Sequence, residues 1–136
     1  MNAFNDNVIA EFRANAGVTE KFGDNLLLVH TIGHRTGAEH VHPVRAVTIE
    51  GEWYVAGSAA GRAQDPVWAV NLRQHPETTV EAPEGTVAVR AELLEGEARS
   101  TAWAAFVAGA PQFVDYQTKA DEHGRTIPLF RLARTS

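Results

Sequence analysis

Residues 30–45 of this 136-residue chain hold four of its six histidines (His30, His34, His40 and His42) and two arginines, Arg35 and Arg45, against one acid, Glu39. The chain as a whole is acidic, with a formal net charge of -5. A local excess of cationic and hydrogen-bond-donating groups in an acidic protein points to an anion site, because the field concentrates where basic groups converge. Gly33 and Gly37 bracket a tight connection whose backbone N–H groups can face outward. Such a nest, with Arg35 and the Thr36 hydroxyl, suits phosphate or carboxylate.

A metal is the rival chemistry. His40 and His42 put both imidazoles on one face of a strand, His30 and His34 could join them, and histidine clusters bind zinc or iron. Only Glu39 adds a carboxylate, however, and a metal explains neither Pro43 nor the glycine turn, so no metal site is expected. Taken singly, His30 and His75 read as ordinary surface or core residues. Other chemistries have no signature here. There is no phosphate-binding P-loop, no dinucleotide fingerprint after a strand, and no Gly-x-Ser-x-Gly elbow around Ser58, Ser100 or Ser136. The chain has no cysteine, which excludes disulfides, thiolate catalysis and Cys-based zinc, and fits a reducing cytoplasm.

The elements that must position these groups follow from periodicity. Leu26–Ile32 is a continuous apolar run and reads as a buried strand; 41–49 is a second strand, with Pro43 interrupting its pairing or lying at an edge. A hairpin at 50–52 leads to a third strand over 53–58, completing an antiparallel meander. The small-residue loop 59–65 ends at Asp65 and Pro66, read as the N-cap and first position of a helix over 66–74. Helix N-termini favour anions, although the Asp65 carboxylate would occupy this cap. Trp68 and Asn71 fall three apart on one side of that helix, where an apolar residue such as Trp68 reads first as core. Strands over 78–82 and 86–94, helices over 97–107 and 113–122, and a strand over 127–132 complete the chain. Residues 2–16, with Phe4, Val8, Ile9 and Phe12 at helical spacing, form an amphipathic helix that lids one end of the core.

The order α-β-β-β-α-β-β-α-α-β, with turn-length links, predicts a mainly β, α+β protein. Its six antiparallel strands close or nearly close into a barrel, and helices cover the openings. The length suits one domain, 1–136. No apolar run approaches the roughly 20 residues that span a bilayer. Asn5, Asp6, Asn7 and Glu11 do not fit a signal peptide, and mild acidity argues against nucleic acid as a partner.

The blocks Leu26-Leu-Leu, Thr31-Ile-Gly-His-Arg-Thr-Gly37 and Pro43 are followed by Gly57-Ser-Ala-Ala-Gly61, Pro66-Val-Trp68, Asn71-Leu72 and His75-Pro76, and then by Asp115-Tyr-Gln117 and Arg125-Thr-Ile-Pro128. In this order, over roughly residues 4–132, the chain resembles the deazaflavin-dependent nitroreductase family, actinobacterial oxidoreductases of the split β-barrel, flavin-reductase-like fold. The resemblance implies a six-stranded antiparallel split β-barrel with flanking helices and a bound 5-deazaflavin, coenzyme F420. The phosphodiester and polyglutamate tail of that coenzyme would account for the basic stretch; FMN is the lesser alternative. It also implies that Arg35, Thr36 and Gly37, with His34 and His40, hold the phosphate. Pro43, Ser58, Ala59, Gly61, Trp68 and Asn71 would shape the pocket. Ser58 and Tyr116 would be the catalytic donors on the substrate side.

In that family the reduced deazaflavin passes a hydride to an electron-poor acceptor such as a quinone or nitroaromatic, and the protein orients the coenzyme. The expectation is therefore an F420H2-dependent reductase of the quinone or nitro type. It would be cytoplasmic or peripheral at the inner face of the membrane, a monomer or homodimer, with a small-molecule acceptor as partner. Two alternatives stand beside it: a barrel that holds F420, flavin or a tetrapyrrole-like ligand without turnover, and a metal-binding barrel through His40 and His42. Against the family pattern, His34 replaces a commoner arginine, which makes one cation depend on pH. Ala59 stands where some members have lysine, Asp65 where histidine is frequent, and Ala110 and Phe113 where the best-known nitroreductases have tyrosines.

Overall fold

The computed structural model describes residues 3–20, 23 and 25–135, and for 3, 4 and 60 the backbone alone. Asn2 and the side chain of Phe4, both placed in the expected first helix, lie outside these. The elements in order are α1 (Ala3–Ala14), β1 (Leu26–Ile32), β2 (Glu39–Ile49), β3 (Glu52–Ala56), a 3-10 turn (Ala59–Gly61), α2 (Val67–Gln74), β4 (Glu77–Ala82), β5 (Gly85–Leu93), α3 (Gly96–Gly109), α4 (Phe113–Asp121) and β6 (Leu129–Arg134). The six strands close into an antiparallel barrel in the order β1-β2-β3-β6-β5-β4.

The alternation of each strand decides where its apolar residues go. In β1, Leu27 and Val29 point into the barrel with Val44, Ala46, Val55, Val80, Val89, Phe130 and Leu132. Leu26 and Leu28 point outward, beneath Val8 and Phe12 of α1. Both faces of β1 are thus buried, which is why its sequence is one unbroken apolar run. The helix α1 covers the flank of β1 and β2 rather than an end of the core, because its apolar stripe meets this outward-facing leucine pair.

An end of the barrel belongs to α2, whose Ala69 and Leu72 join the interior cluster. The long helices α3 and α4 do not cover an opening either. They pack through Ala102, Phe106, Phe113 and Ala120 against Ile127 and Leu129 and against the outward side chains of Val47 and Tyr54.

Several element ends differ from expectation, β2 beginning at Glu39 instead of residue 41 and α3 running to Gly109 instead of residue 107 among them. The third strand stops at Ala56 instead of residue 58, and the last strand starts at Leu129 instead of 127. Both shifts have one cause. The Gly57 amide donates to the Pro128 carbonyl at 2.8 Å, and the carbonyls of Gly57 and Ser58 accept from Arg125 at 3.0 and 2.5 Å. The first bond continues the β3–β6 register by one step, and the ladder stops there because Pro128 has no N–H to return and the Gly57 carbonyl is taken by Arg125.

Candidate functional site

The β1–β2 ladder runs unbroken from Leu26↔Arg45 to Ile32↔Glu39, across Pro43. On its other side β2 pairs with β3 only from Ala46↔Val55 onward. Residues 39–45 therefore border a fork where the two strands part. Pro43, which has no N–H to donate, sits at this locally open edge, as a proline within a strand must.

A cavity of about 190 Å³ opens at the fork, lined by Pro43, Val44, Arg45, Ala56, Ser58, Ala59, Pro66, Trp68 and Phe113. Four residues predicted for the site, Pro43, Ser58, Ala59 and Trp68, thus meet around one space. Ser58 is half-buried, and its side chain makes no capping bond to the 3-10 turn that follows. Trp68 is also a core residue, its ring 6.3 Å from Phe130, so it serves the interior and the cavity together. Arg45 and Phe113, which sequence reasoning did not place in the site, complete the wall.

The loop that carries Ser58 and Ala59 is held from behind. Arg125, its side chain 9 % exposed, donates to the carbonyls of Gly57, Ser58 and Arg62 and to the Asp65 carboxylate at 2.7 Å. Asp65 also pairs with Arg73 at 3.5 Å. The expected Asp65 cap is therefore not made. The helix begins at Val67 with Pro66 at the N-cap position and no side-chain cap bond, because the carboxylate has turned to a buried guanidinium. Gly61 does not line the cavity. At φ +78° a Cβ on it would lie 2.5 Å from Lys119 Cβ and 2.6 Å from the Tyr116 carbonyl oxygen, so glycine lets the turn press onto α4. Tyr116 stands behind Phe113, ring centroids 5.2 Å apart.

The turn between β1 and β2 is locked by its own bonds. The Gly33 amide donates to the Ala38 carbonyl, Gly37 to the Gly33 carbonyl, Ala38 to the Thr36 hydroxyl and His34 to Asn71 Oδ1. Four amides that could have formed an outward nest are thus engaged, three within the turn and that of His34 with Asn71 of α2. Arg35, Thr36, Gly37 and His40 are exposed around this turn. Between Glu39 and Arg45 lie about 20 Å of strand at roughly 3.3 Å per residue, so the turn and the fork cavity are two ends of one edge.

Asn71, completely buried, ties the turn to the barrel end. Its Oδ1 accepts from the His34 amide at 3.0 Å and meets His34 Nδ1 at 2.7 Å; its Nδ2 donates to Thr31 Oγ1 at 3.0 Å. Thr31 Oγ1 lies 3.0 Å from His42 Nε2. The donor directions follow from one fixed point. A backbone amide can only donate, so Oδ1 must accept and Nδ2 must face Thr31. His34 Nδ1 then carries a proton, and the Thr31 hydroxyl is left to donate to a neutral His42. Burial, helped by nearby His40, pushes the His42 pKa down to about 4, which suits that role. Asn71 thus supports the site from below and does not line the cavity.

Among the described residues no group of three or more His, Asp or Glu side chains is placed to hold a metal ion. The two rings of His40 and His42 lie 6.1 Å apart. His30 lies between two carboxylates, Glu39 at 3.2 Å and Glu81 at 2.8 Å.

Charge is distributed unevenly. Arg13, Arg73, Arg90, Arg125, Arg131 and Arg134 pair with carboxylates, and Arg99 donates to the Ile127 carbonyl. Among the described residues Arg35, Arg45, Arg62 and Lys119 have no such partner. They lie on the turn, at the fork, and at the loop that carries Ser58. This arrangement suits an elongated anionic ligand whose flat part rests against Trp68, Pro43 and Phe113.

Comparison with known proteins agrees with the geometry. A family model described as F420H(2)-dependent quinone reductase matches residues 5–133. Rv3178 of Mycobacterium tuberculosis, provisionally named an F420H(2)-dependent quinone reductase, is 31% identical over 78 residues; the aligned part is 57% of this chain and 65% of that protein, slightly under two thirds of its length. A solved structure described as an F420-H2 dependent reductase, FDR-A, is 29% identical with a TM-score of 0.70, covering 79% of this chain and 93% of its own. Another, described as a domain-swapped dimer, is 28% identical with a TM-score of 0.73, covering 93% of this chain and 92% of its own. No helix among the described residues is long and apolar enough to cross a membrane.

Proposed function

The chain belongs to the F420H(2)-dependent quinone reductase family, and we propose that it is itself an F420-dependent reductase of electron-poor acceptors, quinones first and nitroaromatics second. The observation that carries this reading is the set of cations without acid partners at the β1–β2 turn and the Ser58 loop: Arg35, Arg62 and Lys119. An acidic protein that leaves arginines unneutralised there offers its field to a polyanion. A coenzyme with a phosphodiester and a polyglutamate tail fits that field, and the aromatic wall fits its ring.

Arg35, Thr36 and Gly37, with His34 and His40, hold the phosphate in this reading. Asn71 fixes His34 so that its Nε2 points away from the polar plug. Pro43, Ala59 and Trp68 exclude water around the ring, and Gly61 lets their loop seat against α4. Bound F420H2 supplies the hydride, and the quinone gains that hydride and one proton to become the quinol. The Ser58 hydroxyl donates to the oxygen of the acceptor as negative charge develops there. Tyr116 stands behind Phe113 and outside the cavity lining, so Ser58 is the donor this geometry supports.

A barrel that holds the coenzyme without turnover remains the alternative to test. Quenching of F420 fluorescence by the protein, with FMN in parallel, measures binding; oxidation of F420H2 on adding menadione measures turnover. The expected results are tighter binding of F420 than of FMN, and menadione-dependent oxidation. Tighter binding of FMN, or F420 binding with no oxidation by any quinone or nitroaromatic, would contradict the proposal. A cytoplasmic protein meeting its quinone at the inner face of the membrane is part of the same reading. The domain-swapped dimer among the relatives supports a homodimer over a monomer, which light scattering on the purified chain decides.

A further inference from the structure

Arg45 has no role in the phosphate grip described above, yet it holds a central place. It follows Val44 on β2, immediately outside the β2–β3 pairing that begins at Ala46. It lines the fork cavity beside Ser58, Trp68 and Phe113. It also lines an adjoining space of about 230 Å³ toward Val47 and Gly109. The residue is half-buried, and among the described residues no carboxylate or carbonyl takes its guanidinium. The ion pairs elsewhere on the barrel show that acids were available for its neighbours, so the open state of this one guanidinium is a local property.

A partly desolvated guanidinium favours a planar, bidentate anion over any neutral group. The coenzyme phosphate is assigned to the turn, about 20 Å of strand away. The ring that the fork cavity would receive rests on Pro43 and Trp68 in the same reading, which leaves the guanidinium, open also to the adjoining space, for a charged group of the other reactant. We propose that Arg45 is a specificity-determining residue and that the preferred acceptor is a conjugated, electron-poor compound bearing a carboxylate. The carboxylate sits on the guanidinium, and the reducible carbonyl lies toward Ser58. This rests on the reductase reading, and it separates this chain from a reductase of wholly neutral quinones.

The test compares a naphthoquinone carrying a propionate side chain with its methyl ester, in wild type, Arg45→Gln and Arg45→Lys. Two readouts are taken: kcat/KM with F420H2, and binding of acid and ester to the coenzyme-free protein by calorimetry. In wild type the acid should exceed the ester by about tenfold or more in both, the scale of a hydrogen bond to a charged group. In Arg45→Gln the acid-to-ester ratio should fall to about one, and Arg45→Lys should recover part of it, which a merely structural role would not produce. Equal use and equal binding of acid and ester by wild type would overturn the proposal. So would an Arg45→Gln protein whose F420 affinity falls while the ratio stays, since Arg45 would then serve the coenzyme. Failure of the reductase reading shows differently, as absence of F420 binding and of all turnover; the calorimetric acid-to-ester ratio still decides the role of Arg45 in that case.

Discussion

On the β5–β6 face of the barrel, arginines are matched to acids: Arg90 to Glu77, Arg131 to Glu92 and Glu52, and Arg134 to Glu84. On the β2 edge, Arg35 and Arg45 have no such match among the described residues. Both faces are built from the same strand chemistry and enclose the same apolar interior. The difference is that β5 and β6 are paired along their shared length, whereas β2 leaves β3 at Ala46. A closed ladder puts charges at fixed cross-strand positions, where opposite signs stabilise each other. A fork removes the cross-strand partner and leaves both the backbone edge and the cations to a ligand. Buried polar bonds on the fork side serve to hold this open geometry.

The largest effect that could break this contrast is expected at Arg125, the matched arginine behind the fork. Arg125→Ala strips three carbonyls and leaves Asp65 with Arg73 alone, so urea unfolding should show a loss of about 3–5 kcal/mol, the range for removing one member of a buried pair. A loss below about 1 kcal/mol would mean the loop holds itself. Asn71→Leu comes next. It removes the partners of the His34 amide and of Thr31 and should cost about 2–4 kcal/mol in the same assay, the sum of two buried groups left unsatisfied.

Arg35→Ala and Arg131→Ala sharpen the contrast directly. The first should weaken F420 binding by about 1.5–3 kcal/mol and leave the unfolding midpoint close to wild type. The second should cost about 1 kcal/mol of stability or less and leave F420 affinity alone; exchange of the two outcomes would reverse the assignment of faces. The smallest effect is a pH dependence. His42 in the folded protein titrates at about 4 against an ordinary 6.5. Between these values the unfolded chain takes up a proton that the folded one refuses. Stability is therefore full above pH 6.5 and declines as pH falls toward 4, by about 1 kcal/mol once the partial exposure of the ring is allowed for. His42→Gln should flatten that decline; an unchanged slope would place its origin at another group.

The fold was legible because its signals are local. An unbroken apolar run marked β1, hairpin and turn signals marked the strands after it, helical spacing marked α1, and glycine or proline marked the ends, so every helix and strand was expected in its observed order. The resemblance of the ordered blocks added the split barrel and the family. What stayed hidden is long-range. Arg125 reaches residues 60–68 positions away, and no periodicity reports such a contact. For the same reason Asp65 reads locally as a cap, although a buried guanidinium competes for its carboxylate. The internal bonding of the turn was equally invisible, because glycines announce a tight turn but not which amides it consumes. Arg45 was counted in the cationic stretch, but its place at a cavity depends on where β2 leaves β3, which register alone decides. Arg125 did stand in one of the ordered blocks, Arg125-Thr-Ile-Pro128, two residues before the apolar Ile127, but nothing there says what it holds.

The central claim is that the β2 edge, not the matched face, receives the coenzyme. Amide NMR shifts of the labelled chain during titration with F420 test it most directly. The account predicts saturable shifts at residues 33–37, 44–45, 57–59 and 68, with residues 84–92 unmoved. Saturating F420 that shifts 84–92, or that leaves the turn and the fork unmoved, would contradict it.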